Sequence, residues 1–113
     1  MTESKHPSFS IIITTVDSST EAESISKYLV ENKLVVCVNI IGPSTSVYNW
    51  KKNLEISKEY ILWIKTITEN ILSVTRTIKS LHSYSVPEII SFPFNSHNDD
   101  YSHWILDTFG KKD

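Results

Sequence analysis

Two long extended segments lie next to each other in the middle of the chain and restrict the folds that it can adopt. The first runs from Leu34 to Trp50 and the second from Glu55 to Ile67. The polar residues between them include Asn53, which tolerates turn geometry. The pair therefore predicts one long β-hairpin with its tip at residues 50–53. Typical strands have about five or six residues, so the outer half of this hairpin would expose unpaired edges unless a partner chain covered them.

Two prolines mark interruptions in regular structure. Gly42-Pro43 lies inside the first long segment. Proline has no N–H to donate to a neighbouring strand, so this point is expected to be a bulge, a bend or an edge. Pro87 disfavours a helical residue before it. It therefore separates a helix from the short apolar strand that is predicted over Glu88 to Phe94.

Two amphipathic helices are predicted, one before the hairpin and one after it. The first runs from about Ser19 to Glu31, and Ser18 with Glu21 has the spacing of a capping box. The second has Thr68 as its cap and ends at His82. Apolar residues recur at helical spacing in both. They are Ala22, Ile25, Leu29 and Val30 in the first helix, and Ile71, Val74, Ile78 and Leu81 in the second.

The first and last elements complete the order. The β-branched, almost uncharged segment from Phe9 to Asp17 is typical of a strand that is covered on both faces. A final helix is expected to start at Asp99 or Asp100 and to end at Gly110. The order β-α-β-β-α-β with an additional C-terminal helix predicts an α+β fold of the ferredoxin-like type. In this plan both main helices lie on one face of an antiparallel sheet.

The size of the chain favours one domain that associates with further copies. At 113 residues it is expected to form a single domain over residues 9–110, with a disordered tail over 1–8 and a short tail over 111–113. A domain of this length gains less from burial than a longer one. Three Trp and five Tyr are many for such a chain, and exposed aromatic rings would mark a contact surface.

Composition excludes several classes of function. The net charge is −2 and only Arg76 is an arginine, so no basic stripe for nucleic acid is present. The single cysteine, Cys37, rules out a disulfide framework and four-thiolate zinc sites. The apolar runs are too short to span a membrane, and the acidic, proline-containing start does not match a signal peptide. We therefore expect a cytoplasmic protein.

Motifs for a nucleophile elbow, a phosphate loop or paired catalytic carboxylates are also missing, so no enzyme activity is expected.

Several short motifs occur in one order along the chain, and together they resemble the CutA family of divalent-cation tolerance proteins. The resemblance covers about residues 9–109. The motifs are Thr14-Thr15, Glu21-Ala22, Leu29-Val30-Glu31, Cys37-Val38-Asn39-Ile40-Ile41, Thr45-Ser46-Val47-Tyr48-Asn49-Trp50, Ile64-Lys65-Thr66, His82-x-Tyr84-x-Val86-Pro87-Glu88-Ile89 and Tyr101-x-x-Trp104-Ile105.

The resemblance implies a homotrimer in which the long hairpins extend the sheets of neighbouring subunits. Such an assembly would add subunit burial to a small core, so high thermal stability is expected. The resemblance implies two alternative functions. One is copper or other divalent metal ion binding in metal tolerance. The other is a signalling or scaffolding trimer that binds a small metabolite or a partner protein in its intersubunit clefts.

The best candidates for a metal ligand are His82 and then Cys37, because imidazole and thiolate bind copper and zinc well. A copper site proposed for some members of the family would fall here on Thr14, Leu81 and His82. Structural roles compete with this interpretation. A histidine at a helix end can bond a free carbonyl or complement the helix dipole, and a cysteine in an apolar strand is commonly buried and inert.

A second group, Tyr48, Trp50, Lys65, Tyr84 and Glu88, corresponds to residues that line the intersubunit clefts of the family. A lysine and a glutamate beside aromatic rings could orient a small anionic or zwitterionic ligand. Alternatively, Glu88 and Lys65 form an ion pair between subunits and the aromatic rings anchor the interface.

Overall fold

The computed structural model describes residues 8–111, so the tails predicted over 1–8 and 111–113 lie outside the described residues except for Ser8 and Lys111. It confirms an α+β fold with a four-stranded antiparallel sheet and three helices. A 3₁₀ turn at Thr68–Asn70 precedes the second helix. The elements are β1 (Phe9–Val16), α1 (Ser19–Glu31), β2 (Cys37–Trp50), β3 (Asn53–Ile67), α2 (Ile71–Leu81), β4 (Ile89–Phe94) and α3 (Asp99–Thr108).

The sheet has the strand order β2-β3-β1-β4, with every neighbouring pair antiparallel. β1 pairs with β3 only from Phe9↔Ile67 to Val16↔Tyr60. Residues 53–59 of β3 therefore have no strand beside them on that side within the described chain. The hairpin tip lies where the sequence predicts it. Lys51 and Lys52, with φ of 52° and 70°, form its two-residue turn, and positive φ at both central residues matches the twist of the flanking strands.

Of the alternatives at Gly42-Pro43, the structure has a bulge. The register between β2 and β3 shifts between Ile41 and Ser44. Gly42 has a φ of 151°, and a Cβ at this position would lie 2.9 Å from the backbone oxygen of Glu59. Only glycine fits this conformation and this close approach.

α1 and α2 bury their apolar faces against the same side of the sheet. The sheet contributes Ile12, Leu62 and Ile64, which are fully buried, and the helices contribute Ala22, Ile25, Leu29, Val74 and Ile78. Two residues of the predicted apolar faces, Val30 and Leu81, are exposed instead. Val30 is rotated by about 100° from Leu29 around the helix, and Leu81 is the last residue of α2.

Residues 8–111 cover the opposite side of the sheet only at one end. There Ile105 of α3 packs with Val36 and Ile67, and Phe9, Cys37 and Phe94 surround them. The rest of this side, together with the outer half of the hairpin, is called the open face below. No helix within residues 8–111 is both long enough and apolar enough to cross a membrane.

The predicted caps are partly correct. Ser18 accepts a hydrogen bond from the Glu21 N–H at 3.1 Å and caps α1, and Gly110 follows α3 with a φ of 68°. Thr68 as the cap of the second helix is wrong. It begins the 3₁₀ turn, and its hydroxyl is bonded to that of Ser10 at 2.7 Å. α2 itself starts without a side-chain cap.

Two threonines in the interior of the sheet provide a matched test of the core. Thr14 and Thr66 are both fully buried. The hydroxyl of Thr14 has no hydrogen-bond partner among the described residues, whereas that of Thr66 donates to the Leu34 carbonyl at 2.8 Å. We expect Thr14→Val to raise the free energy of unfolding by about 1 kcal/mol, because it removes an unsatisfied buried hydroxyl, and Thr66→Val to lower it by about 1 kcal/mol. Chemical denaturation measures both. Equal effects of the two substitutions would contradict the hydrogen-bond assignment.

Candidate functional site

The segment between α2 and β4 is fixed to the end of β1 by His82. The imidazole Nε2 donates a hydrogen bond to the Thr15 carbonyl at 2.9 Å. The Nδ1 accepts one from the Tyr84 N–H at 3.1 Å. Because a carbonyl oxygen can only accept, the proton of the neutral ring lies on Nε2. The His82 side chain is fully buried, and both of its nitrogens are used to hold the segment in place.

Glu21 fixes the same segment to the start of α1. Its carboxylate accepts hydrogen bonds from the Ser83 N–H at 2.9 Å and from the Ser83 hydroxyl at 2.8 Å. The predicted capping box is therefore only half correct. Ser18 caps the helix, but the carboxylate of Glu21 bonds to Ser83, which is distant in sequence, and not to the start of its own helix.

Tyr84 connects this segment to the hairpin. Its hydroxyl donates to Oε2 of Glu59 at 2.6 Å. Glu59 lies on β3 just beyond the last residue that pairs with β1, and it is 8% exposed. Burial, followed by the hydrogen bond to Glu59 and the nearby negative charges, raises the pKa of Tyr84 far above its usual value. The phenol therefore stays protonated and acts as a donor to the carboxylate.

Glu59 is not among the predicted site residues, because it stands in a charged, polar part of the sequence. Strand alternation was the available signal. It places Glu59 on the same face as Ile61 and Trp63. What alternation does not reveal is that Tyr84, from a segment 25 positions further along the chain, closes over this carboxylate.

A cleft of about 970 Å³ lies on the open face beside the Tyr84–Glu59 pair. Four of the five predicted cleft residues line it, namely Tyr48, Trp50, Tyr84 and Glu88. The fifth, Lys65, lies elsewhere on the sheet. It lines a second concavity of about 650 Å³, next to the start of α3. Within one subunit, the structure thus separates the predicted lysine from the predicted glutamate.

The two metal candidates do not come together. Cys37 is partly exposed and lies beside Lys65, which pairs with Ile11 of β1. His82 bonds to Thr15, which lies four residues beyond Ile11 on β1. The two side chains are thus displaced by about 13 Å along the strand direction, and β3 lies between β2 and β1. Within residues 8–111, no group of three or more His, Cys, Asp or Glu side chains could hold a metal ion.

The remaining residues of the expected copper site offer no soft ligand either. Thr14 is buried in the core and Leu81 is exposed at the end of α2. At His82, neither ring nitrogen has a free lone pair for a metal, because Nδ1 already accepts a hydrogen bond and Nε2 carries the proton. The side chains at these positions do not fit a resident copper ion.

A sequence model described as "CutA1 divalent ion tolerance protein" matches residues 10–108 of the chain. The chain belongs to the CutA1 family. Its relatives include the divalent-cation tolerance protein CutA of Thermus thermophilus, with 36% identity over 88% of this chain and 97% of the relative. The CutA homolog of Xenopus laevis is 40% identical over 88% of this chain. The chain spans 66% of that relative's length and 55% of the length of mouse CutA.

Solved CutA1 structures have the same fold. The CutA1 crystal structure from Ehrlichia chaffeensis aligns with a TM-score of 0.85 at 32% identity, over 90% of this chain and 95% of that one. CutA1 from Oryza sativa aligns with a TM-score of 0.88 at 28% identity, over 93% and 96% of the two chains. The expected family and its divalent-cation tolerance description are thereby confirmed.

The raised pKa of Tyr84 predicts how stability depends on alkaline pH. A group whose pKa is higher in the folded state stabilises fully below its unfolded pKa, here about 10, and loses this contribution as the pH rises above it. We therefore expect the stability difference between wild type and Tyr84→Phe to be constant up to about pH 9 and to shrink between about pH 10 and pH 11. Urea denaturation at each pH measures it. Tyr28→Phe, which alters an exposed ring of α1, is the control, and a constant difference for Tyr84→Phe would contradict the assignment.

Proposed function

We propose that the chain acts in divalent-cation tolerance as a homotrimer without enzyme activity. In this proposal it binds its ligand in the cleft beside Tyr84 and Glu59. The observation that carries the proposal is the partly buried Tyr84–Glu59 hydrogen bond, which holds a carboxylate in the wall of a cleft. Binding sites are typically concave and mostly apolar, with a few oriented polar groups.

We further propose that the strand order β2-β3-β1-β4 corresponds to the ferredoxin-like plan. We also propose that the protein is located in the cytoplasm, which subcellular fractionation tests.

The outer half of the hairpin supports the trimer. Val47, Leu54 and Ile56 are 61%, 69% and 66% exposed on strands that extend past β1. Exposed apolar side chains on a long unpaired edge invite pairing with another chain. A second copy of the chain would bury these residues and complete the hydrogen bonds of the edge. The same burial would give the high thermal stability expected from the sequence.

An apolar residue of the hairpin provides the test of assembly. We expect native mass spectrometry and light scattering to give three times the mass of the chain. Ile56→Asp should shift this mass towards one chain, because it would bury an unpaired charge in the interface. Leu72→Asp, at an exposed position of α2, is the control and should leave the trimer intact. A stable monomer of the wild type would refute the proposal.

We propose that metal tolerance in this chain does not depend on a copper ion held by His82 and Cys37. His82 is engaged through both nitrogens, and Cys37 is displaced by about 13 Å along the strand direction and lies on the far side of β3. His82 thus joins the end of α2 to β1, and Cys37 packs beside α3. The second function considered from the sequence, ligand binding in clefts, is therefore preferred over a resident metal site.

A metal titration separates these roles. We expect His82→Ala to leave the affinities for Cu(II) and Zn(II) unchanged, as measured by isothermal titration calorimetry. The same substitution should lower the free energy of unfolding by about 2 kcal/mol or more, because the Thr15 carbonyl and the Tyr84 N–H lose their partners. Arg76→Ala, which changes a charged position on α2, is the control. Loss of tight Cu(II) binding in His82→Ala would show that the histidine is a ligand.

A further inference from the structure

We propose that the cleft binds a small organic cation, a molecule with a primary ammonium or a guanidinium group, between its carboxylates and its aromatic rings. This inference rests on the proposed binding function and names the class of its ligand. It also differs from the anionic or zwitterionic ligand that was one alternative from the sequence, because Lys65 does not line the cleft.

The charge of the cleft is of one sign. Glu55, Glu59 and Glu88 are among the residues that line it, and no lysine, arginine or histidine of the described chain is. Glu55 and Glu59 lie on the same face of β3 because they are separated by an even number of positions. Both line the cleft, so this face is the open face. Walls of a single sign concentrate ions of the opposite sign within a cleft.

Glu59 gives this charge a defined position. The residue is 8% exposed, and the Tyr84 hydroxyl bonds only one of its oxygens, Oε2. The structure records no hydrogen bond from the described residues to Oε1 and no ion pair between Glu59 and a described lysine or arginine. Oε1 is not among the buried side-chain atoms that lack a partner in the described chain, so it remains accessible and can accept a further hydrogen bond. A ligand in the cleft could donate an N–H bond to this oxygen.

The spacing of the carboxylates distinguishes an organic cation from a metal ion. Glu55 and Glu59 are four residues apart on one strand, about 13 Å along its axis. Oxygen ligands of calcium or magnesium lie only about 2.0–2.6 Å from the ion, and the described residues form no group that could hold a metal. A molecule with two cationic groups separated by methylenes can span such a distance.

Aromatic rings provide the second element of recognition. Tyr48 and Trp50 are half-exposed on β2 and line the cleft together with Tyr84. Ring faces attract cations that lie within about 6 Å of their centroid. The Lys51 Nζ lies 6.0 Å from the centroid of Trp50, at the outer limit of this range. The methylenes of an organic cation would also cover the apolar part of the cleft.

A lysine of a second copy is the competing occupant. Lys65 lies on the same face of the sheet, and the alternative derived from the sequence pairs it with Glu88 of a neighbouring subunit. If that contact fills the cleft, a small ligand cannot enter until the lysine is removed. The experiment therefore includes Lys65→Met.

The test uses the full chain, with 1,4-diaminobutane and agmatine as probes and 1,4-butanediol as the probe of equal length without charge. Binding is measured by isothermal titration calorimetry and by the fluorescence of the tryptophans. We expect saturable binding of the amines, weakened by added salt, and none of the diol. Glu59→Gln and Glu88→Gln should each weaken amine binding by about tenfold or more. Glu23→Gln, on the exposed side of α1, should leave it unchanged.

Three results would overturn the inference. They are the absence of amine binding to the wild type, equal binding of the diol, and amine binding that appears only in Lys65→Met. Glu88 is exposed, so Glu88→Gln keeps the test valid if Glu59→Gln does not fold. Native mass spectrometry of each sample separates the two proposals, since a trimer that binds no amine refutes only the ligand class.

Discussion

The structure depends on the unequal lengths of two paired strands. β3 runs from Asn53 to Ile67, whereas its neighbour β1 ends at the residue opposite Tyr60. The inner half of β3 lies in the centre of the sheet, where α1 and α2 cover one side. Its outer half extends with β2 as a two-stranded ribbon, and such ribbons are marginally stable alone. Both the unpaired outer ribbon and the cleft begin at the point where β1 ends.

The segment from His82 to Glu88 lies where β1 ends. His82 bonds to the end of β1, Glu21 holds Ser83, and Tyr84 then reaches the first carboxylate of β3 beyond the pairing. A single short connection thus joins α1, β1 and the hairpin. These hydrogen bonds hold parts of the same chain together. One of them, from Tyr84, also orients the Glu59 carboxylate in the cleft. The residues of this connection also form one wall of the cleft.

Local patterns made the elements predictable from sequence. The alternation of β3, the periodicity of α1 and α2, and the signals at Ser18 and Gly110 all report on neighbours along the chain, so the element order and most helix ends agree with the structure. The failures concern partners that are distant in sequence. Glu21 bonds to Ser83, Thr68 bonds to Ser10, and Lys65 lies away from the cleft because of its register with β1 and β2.

The bulge at Gly42-Pro43 decides which side chains the hairpin presents to the cleft. From Ile41 to Ser44, β2 advances by one residue more than β3, and side chains of a strand alternate between its two faces. The extra residue therefore inverts the parity of β2. Odd-numbered positions face the open side before it, and even-numbered positions do so after it. Without this inversion, Tyr48 and Trp50 would point away from Glu59, and Val47 and Asn49 would take their places. A residue that carries no functional group, Gly42, thus sets the chemistry of the cleft wall.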